Sequence, residues 1–112
     1  MARSSDINLK VLLDDQNIPE KISWNAKDSG IEEDKSANAF LLSIWDPKEN
    51  NTLRIDLWTK DMLVNDMKIF YHQTLITMAE TFERATGETK MKEQMLDFAD
   101  YFAEKMGLKD EE

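Results

Sequence analysis

His72 is the one histidine in a chain that contains no cysteine. Nucleophilic or metal chemistry would therefore have to be built around it or on carboxylates. A helical metal site wants partner ligands three or four residues away, and those positions hold Lys68, Ile69, Leu75 and Ile76. No serine lies in a nucleophile-elbow context, so a nucleophile–base pair has no place to form. Gly30, Gly87 and Gly107 stand far apart, and none belongs to a loop that could cradle phosphates. His72 reads as a boundary residue bonded to backbone or water. No catalytic residue, metal or cofactor is expected, and the chain is not expected to be an enzyme.

Two other groupings could carry function. Glu93, Asp97, Asp100 and Glu104 recur at helical spacing, either as a solvated face or as a docking surface for a basic partner. Carboxylates on one straight helix cannot wrap a cation as a loop does. Seven methionines could line an adaptable groove. However, Met67, Met78, Met91, Met95 and Met106 fall in phase with the apolar stripes and read better as core.

Charge narrows the partners. The chain has 23 acidic against 14 basic residues and a net charge of −9, so it lacks the cationic footprint that displaces counterions from nucleic acid. An anionic membrane surface is disfavoured for the same reason. Twelve of the acids lie in residues 61–112. The longest uncharged run, Ile69 to Ala79, is far short of the roughly 20 residues of a bilayer span, so no direct membrane insertion is expected. The opening Met-Ala-Arg-Ser-Ser-Asp shows no apolar signal region. Together with the missing cysteines, it points to the cytoplasm. The 112 residues predict one domain over 1–112, frayed at 1–5 and 108–112.

The first half alternates with period two. Ile7, Leu9, Val11 and Leu13 mark a strand closed by Asp14-Asp15-Gln16-Asn17. Ile22, Trp24 and Ala26 mark a second, and Lys27 to Ser36 reads as a solvated loop. Ala37–Trp45 and Thr52–Thr59 flank a proline-containing turn. With Trp45 facing Thr52, one face collects Phe40, Leu42, Ile44, Leu53, Ile55 and Leu57, and a slip of one residue would split it. The other face carries Leu41, Ser43, Trp45, Arg54, Asp56 and Trp58. Leu41, Trp45 and Trp58 could form a contact patch, unless the 27–36 loop or the N-terminal segment covers them.

The second half changes to helical spacing. Met67, Tyr71, Leu75, Met78, Phe82 and Ala85 form one stripe ending near Gly87, which is suited to a left-handed cap. A second helix starts at Thr89 as N-cap, with Met91, Met95, Phe98, Phe102 and Met106 in phase. The fold class is α+β: a four-stranded antiparallel sheet followed by two helices packed on one face, in the order ββββαα. Ile69, Gln73 and Ile76 lie opposite the first helix's stripe. They are either scattered surface residues or a seam for a second copy or another partner, so a homo-oligomer is expected.

Several strings resemble the gliding motility-associated family GldC of gliding Bacteroidetes. They are Ile-Pro-Glu-Lys-Ile-Ser-Trp (18–24), Leu-Ser-Ile-Trp-Asp (42–46), Ile-Asp-Leu-Trp-Thr-Lys (55–60) and Phe-Tyr-His-Gln-Thr-Leu (70–75), followed by 78–86 and 97–105. The resemblance implies a non-enzymatic cytoplasmic accessory of the gliding apparatus, linked to type IX secretion and working through a protein partner of that machinery. The order of elements is also similar to that of the export chaperone SecB, which is tetrameric. By that likeness the alternative is a holdase for exported or assembling gliding proteins, with clients held at the Trp45/Trp58 face.

Overall fold

The computed structural model describes residues 2–109, and the fraying expected at Met1 and at 110–112 lies outside the described residues. The chain divides into two compact units, Met1–Met62 and Leu63–Glu112, and each is described by itself. Five antiparallel strands in two sheets make up the first unit, and two helices the second. The expected single four-stranded sheet is corrected on both counts.

Strands β1 (Asn8–Leu13), β2 (Pro19–Ala26) and β3 (Ile31–Ala37) form one sheet in that order. Val11 lies opposite Ile22, and Ile22 opposite Ala37, so one row crosses all three strands with the buried Ile22 at its centre. A polar ladder runs beside it. Asn8 Nδ2 donates to Asn25 Oδ1 at 2.9 Å, and Asn25 Nδ2 to Asp34 Oδ1 at 2.8 Å. Both bonds tie side chains across strands and oppose a slip in register.

β3 occupies most of the segment read as a loop. After the short 3-10 turn Lys27–Ser29 and the left-handed Gly30, Ile31 and Ala37 are half-buried, while Glu32, Glu33, Asp34, Lys35 and Ser36 between them are exposed. An edge strand wetted on both faces has no reason to alternate, so the periodicity that marks strands is missing. Its charges also blunt an open edge against stray pairing.

The second sheet is the hairpin of β4 (Ala39–Asp46) and β5 (Asn51–Trp58). Its register sets Trp45 against Thr52, Ile44 against Leu53, Leu42 against Ile55 and Phe40 against Leu57, as the hydrophobic pattern requires. Asp46 Oδ1 accepts from the backbone N–H of Lys48 at 2.9 Å and of Glu49 at 3.4 Å, and Asn50 closes the turn at φ 49. A short polar side chain tolerates that left-handed backbone.

The helices are α1 (Val64–Thr86) and α2 (Thr89–Lys105). Gly87 caps α1 at φ 76, its N–H bonded to the Glu83 carbonyl at 2.7 Å. Thr89, expected as N-cap, is the first residue of α2; the cap position is Glu88, whose backbone N–H bonds to Thr86 Oγ1 at 3.2 Å. Beyond α2, Leu108 N–H reaches back to the Ala103 carbonyl at 2.8 Å around Gly107, a Schellman-type closure.

The fully buried residues of this unit are Ala79, Ala99 and Ala103. On α1, His72, Ile76, Ala79 and Glu83 are buried or half-buried, and on α2 so are Lys92, Leu96, Ala99 and Ala103. These positions recur at i, i+4, i+7 and i+11, one stripe on each helix. Lys92 Nζ meets Glu83 Oε1 at 3.5 Å. Within these stripes the fully buried positions are the small Ala79, Ala99 and Ala103, which allow close approach along the seam. Of the stripes expected in the core, Met67, Leu75, Phe82, Met95 and Phe102 are half-buried, while Tyr71, Met78, Ala85, Met91, Phe98 and Met106 are exposed. Replacing Ala99→Leu should overpack the seam and destabilise the chain by about 1–3 kcal/mol. The exposed Ala85→Leu should stay within about 0.5 kcal/mol. Urea unfolding followed by circular dichroism distinguishes the two; equal midpoints would refute an alanine seam.

Candidate protein-contact surface

On one face of the β4–β5 hairpin, Leu41 lies opposite Asp56, Ser43 opposite Arg54, Trp45 opposite Thr52 and Ala39 opposite Trp58. The two indoles are open to solvent, at 60% for Trp45 and 58% for Trp58. They do not touch one another across the face. Thr52, opposite Trp45, is six residues from Trp58 along β5, which is roughly 20 Å of strand. Between the indoles Arg54 Nη2 meets Asp56 Oδ2 at 3.3 Å. The expected patch of Leu41, Trp45 and Trp58 is thus two apolar points with a charged pair between them. Leu41 is a diagonal neighbour of Trp58, within reach of an aromatic ring, while Trp45 stands at the turn end.

The opposite face is not sealed either. Phe40, Leu42 and Leu57 are half-buried, but Ile44, Leu53 and Ile55 are exposed.

What braces the hairpin lies at its other end. The backbone N–H of Thr59 bonds to the Asn38 carbonyl at 2.8 Å, and that of Lys60 to the Pro19 carbonyl at 3.2 Å. Thr59 is buried, and its hydroxyl donates to Asn38 Oδ1 at 3.4 Å. The Lys60 ammonium then meets Asp14 Oδ2 at 2.8 Å, while Asp14 Oδ1 accepts from the N–H of Gln16 at 2.8 Å and of Ile18 at 3.0 Å. Lys60 first, and then the Ile18 and Gln16 amides, hold the Asp14 carboxyl at about 2, below its ordinary 3.8. Asp14 in turn raises the Lys60 ammonium above its ordinary 10.5. Sequence pattern marked Asp14 only as a turn residue; nothing local announces a partner so far along the chain.

A family model described as gliding motility-associated protein GldC-like matches residues 19–108. The chain belongs to the GldC-like family. The match begins at β2 and runs through α2, so it takes in the hairpin, both tryptophans and the whole helical unit. No curated protein and no solved structure matches the chain. The five strands in two sheets also depart from the four-strand order on which the likeness to SecB rested.

The remaining sequence candidates fall in the helical unit. Ile69 and Gln73 line a hollow with Asn65, His72, Met106, Gly107 and Leu108, and Ile76 is half-buried. Much of that seam is therefore turned towards the C-terminal end of the chain's own α2. Glu93, Asp97, Asp100 and Glu104 are all exposed, and Asp100 is bound by Lys109 Nζ at 2.7 Å. Among the described residues no three His, Asp or Glu side chains gather as metal ligands would, and no helix is long and apolar enough to cross a membrane.

The lowered Asp14 value gives the brace a pH signature. A carboxyl depressed on folding stabilises the fold above its ordinary pKa of 3.8, and that contribution fades as pH falls towards about 2. Lys60→Met should raise the Asp14 titration midpoint, read by carboxyl NMR, and flatten stability between those two pH values. An unmoved Asp14 midpoint would mean that the backbone amides alone hold the charge.

Proposed function

We propose that this GldC-like chain is a non-catalytic accessory of the gliding motility apparatus, working in the cytoplasm through contact with a folded protein of that machinery and as a homo-oligomer. Membership of the family over 19–108 supplies the process. The pair of solvent-open indoles carries the mode of action. Burying apolar area of this kind drives association, and tryptophan is enriched among the residues that dominate interface energies. Leu41, Trp45 and Trp58 are the contact residues of this reading, and the Arg54–Asp56 pair between them would set register with a polar partner surface.

A second reading has support in the hairpin's other face. Ile44, Leu53 and Ile55 are exposed together with the tryptophans on the opposite side, which would suit a SecB-like holdase for exported or assembling gliding and secretion proteins. The two readings differ in what competes. An adaptor keeps its folded partner in the presence of a denatured model substrate, whereas a holdase releases its client.

Deleting the chain from its host should abolish gliding, with rescue by the wild-type sequence. The Trp45→Ser, Trp58→Ser double variant should fold, by circular dichroism, yet fail to rescue. Normal gliding without the chain would refute the accessory role, and full rescue by the double variant would refute these contact residues.

A further inference from the structure

β5 pairs with β4 along one edge and leaves its other edge open, and two hydrogen bonds fix which of its residues face which way. Thr59 N–H points to β4 through Asn38, while Lys60 N–H points away, to Pro19. Backbone groups alternate sides along an antiparallel strand. Leu53, Ile55 and Leu57 therefore direct theirs at β4, and Thr52, Arg54, Asp56 and Trp58 direct theirs outward. The Lys60–Pro19 bond marks where β2 takes over the edge, so the free stretch runs from Thr52 to Trp58. An open row of donors and acceptors is a template for another strand.

We infer that this edge pairs with the same edge of a second copy of the chain, antiparallel and about a two-fold axis at Ile55, joining two hairpins into one four-stranded sheet. Ile55 is the midpoint of the free stretch, so centring there uses every outward-facing residue. Charge selects the same register. A two-fold at Arg54 sets arginine against arginine, and one at Asp56 sets aspartate against aspartate. At Ile55, Arg54 faces the second copy's Asp56, and Asp56 faces its Arg54. Like charges directly opposite are destabilising and unlike ones favourable, and an interface with two-fold symmetry has to be self-complementary in this way. A two-fold midway between residues would set outward groups against inward ones and forfeit the ladder.

The side chains agree with the backbone. In this register Leu53 opposes the second copy's Leu57, and Ile55 opposes its own counterpart. The apolar face holding Ile44, Leu53 and Ile55 then continues across the junction. The other edges lack such a match. On β3 a two-fold that pairs Lys35 with Glu33 sets Asp34 against Asp34, while β1 carries Lys10 as its only charge and β4 carries Asp46 as its only charge.

This inference rests on the homo-oligomer of the accessory reading and gives it an interface, and its test is separate from that of the partner contact. Wild-type chain should sediment as a dimer. Arg54→Asp and Asp56→Arg should each weaken self-association about tenfold, while an equimolar mixture of the two pairs unlike charges and restores the dimer. Because the chain has no cysteine, Ile55→Cys should give a disulfide-linked dimer on oxidation. Opposed residues of that kind have Cα atoms about 4.5 Å apart, within disulfide range. Leu53→Cys, which faces Leu57, should not cross-link. The mixture and the cross-link each require folded hairpins, so misfolding cannot mimic the expected result. A monomeric wild type, an inactive mixture, or equal cross-linking at 53 and 55 would overturn the inference. A monomer whose gliding still depends on Trp45 would remove the homo-oligomer from the accessory reading but leave its partner contact intact.

Discussion

Asp14 and Lys60 pair at the place where the two sheets of the strand unit meet, beside the backbone bonds of Thr59 and Lys60 that join them. β5 stays beside β4 as far as Thr59 and is then passed to β2 at Lys60. The same lysine reaches the carboxylate that organises the β1–β2 turn. One carboxylate thus accepts two amides and an ammonium, each of which favours its charged form. An isolated two-stranded hairpin is marginal in water, so β4–β5 depends on this junction for its footing. It also explains why the tryptophan face can remain open: the fold is anchored at the base of the hairpin and leaves its sides uncommitted.

The helical unit solves a different problem with a different residue. Its fully buried residues are alanines, so the two helices come close there at little cost in side-chain entropy, and several large apolar residues are left exposed to either side. A seam of leucines would have held the helices further apart and consumed those side chains. With alanine at the contact, Tyr71, Met78, Met91, Phe98 and Tyr101 stay exposed beside it.

Much of this was legible in the sequence, and the failures share a cause. The β4–β5 register followed from six large apolar residues that only one pairing keeps together, and Gly87 ended α1 because a left-handed cap favours glycine. β3 was missed because Glu32 to Ser36 are wetted on both faces and carry no alternation. The helix seam was missed because alanine is a weak apolar signal beside Met and Phe, which drew the expected core stripes to their own side. The tryptophan face was read correctly as a face, with Arg54 and Asp56 on it by spacing alone; that the two form an ion pair depends on side-chain placement that spacing does not provide. The Asp14–Lys60 pair could not be read at all, because it joins a turn to a strand end with no local pattern linking them.

That last contact also sets an order of events. Every strand pairing in this unit joins neighbours along the chain, and the helical pair closes around Gly87. Such local contacts form early, since short loops cost little entropy to close. Asp14 and Lys60 are 46 residues apart. On a ribosome the hairpins can form as they emerge, but this clasp must wait until nearly all of the first unit has been synthesised.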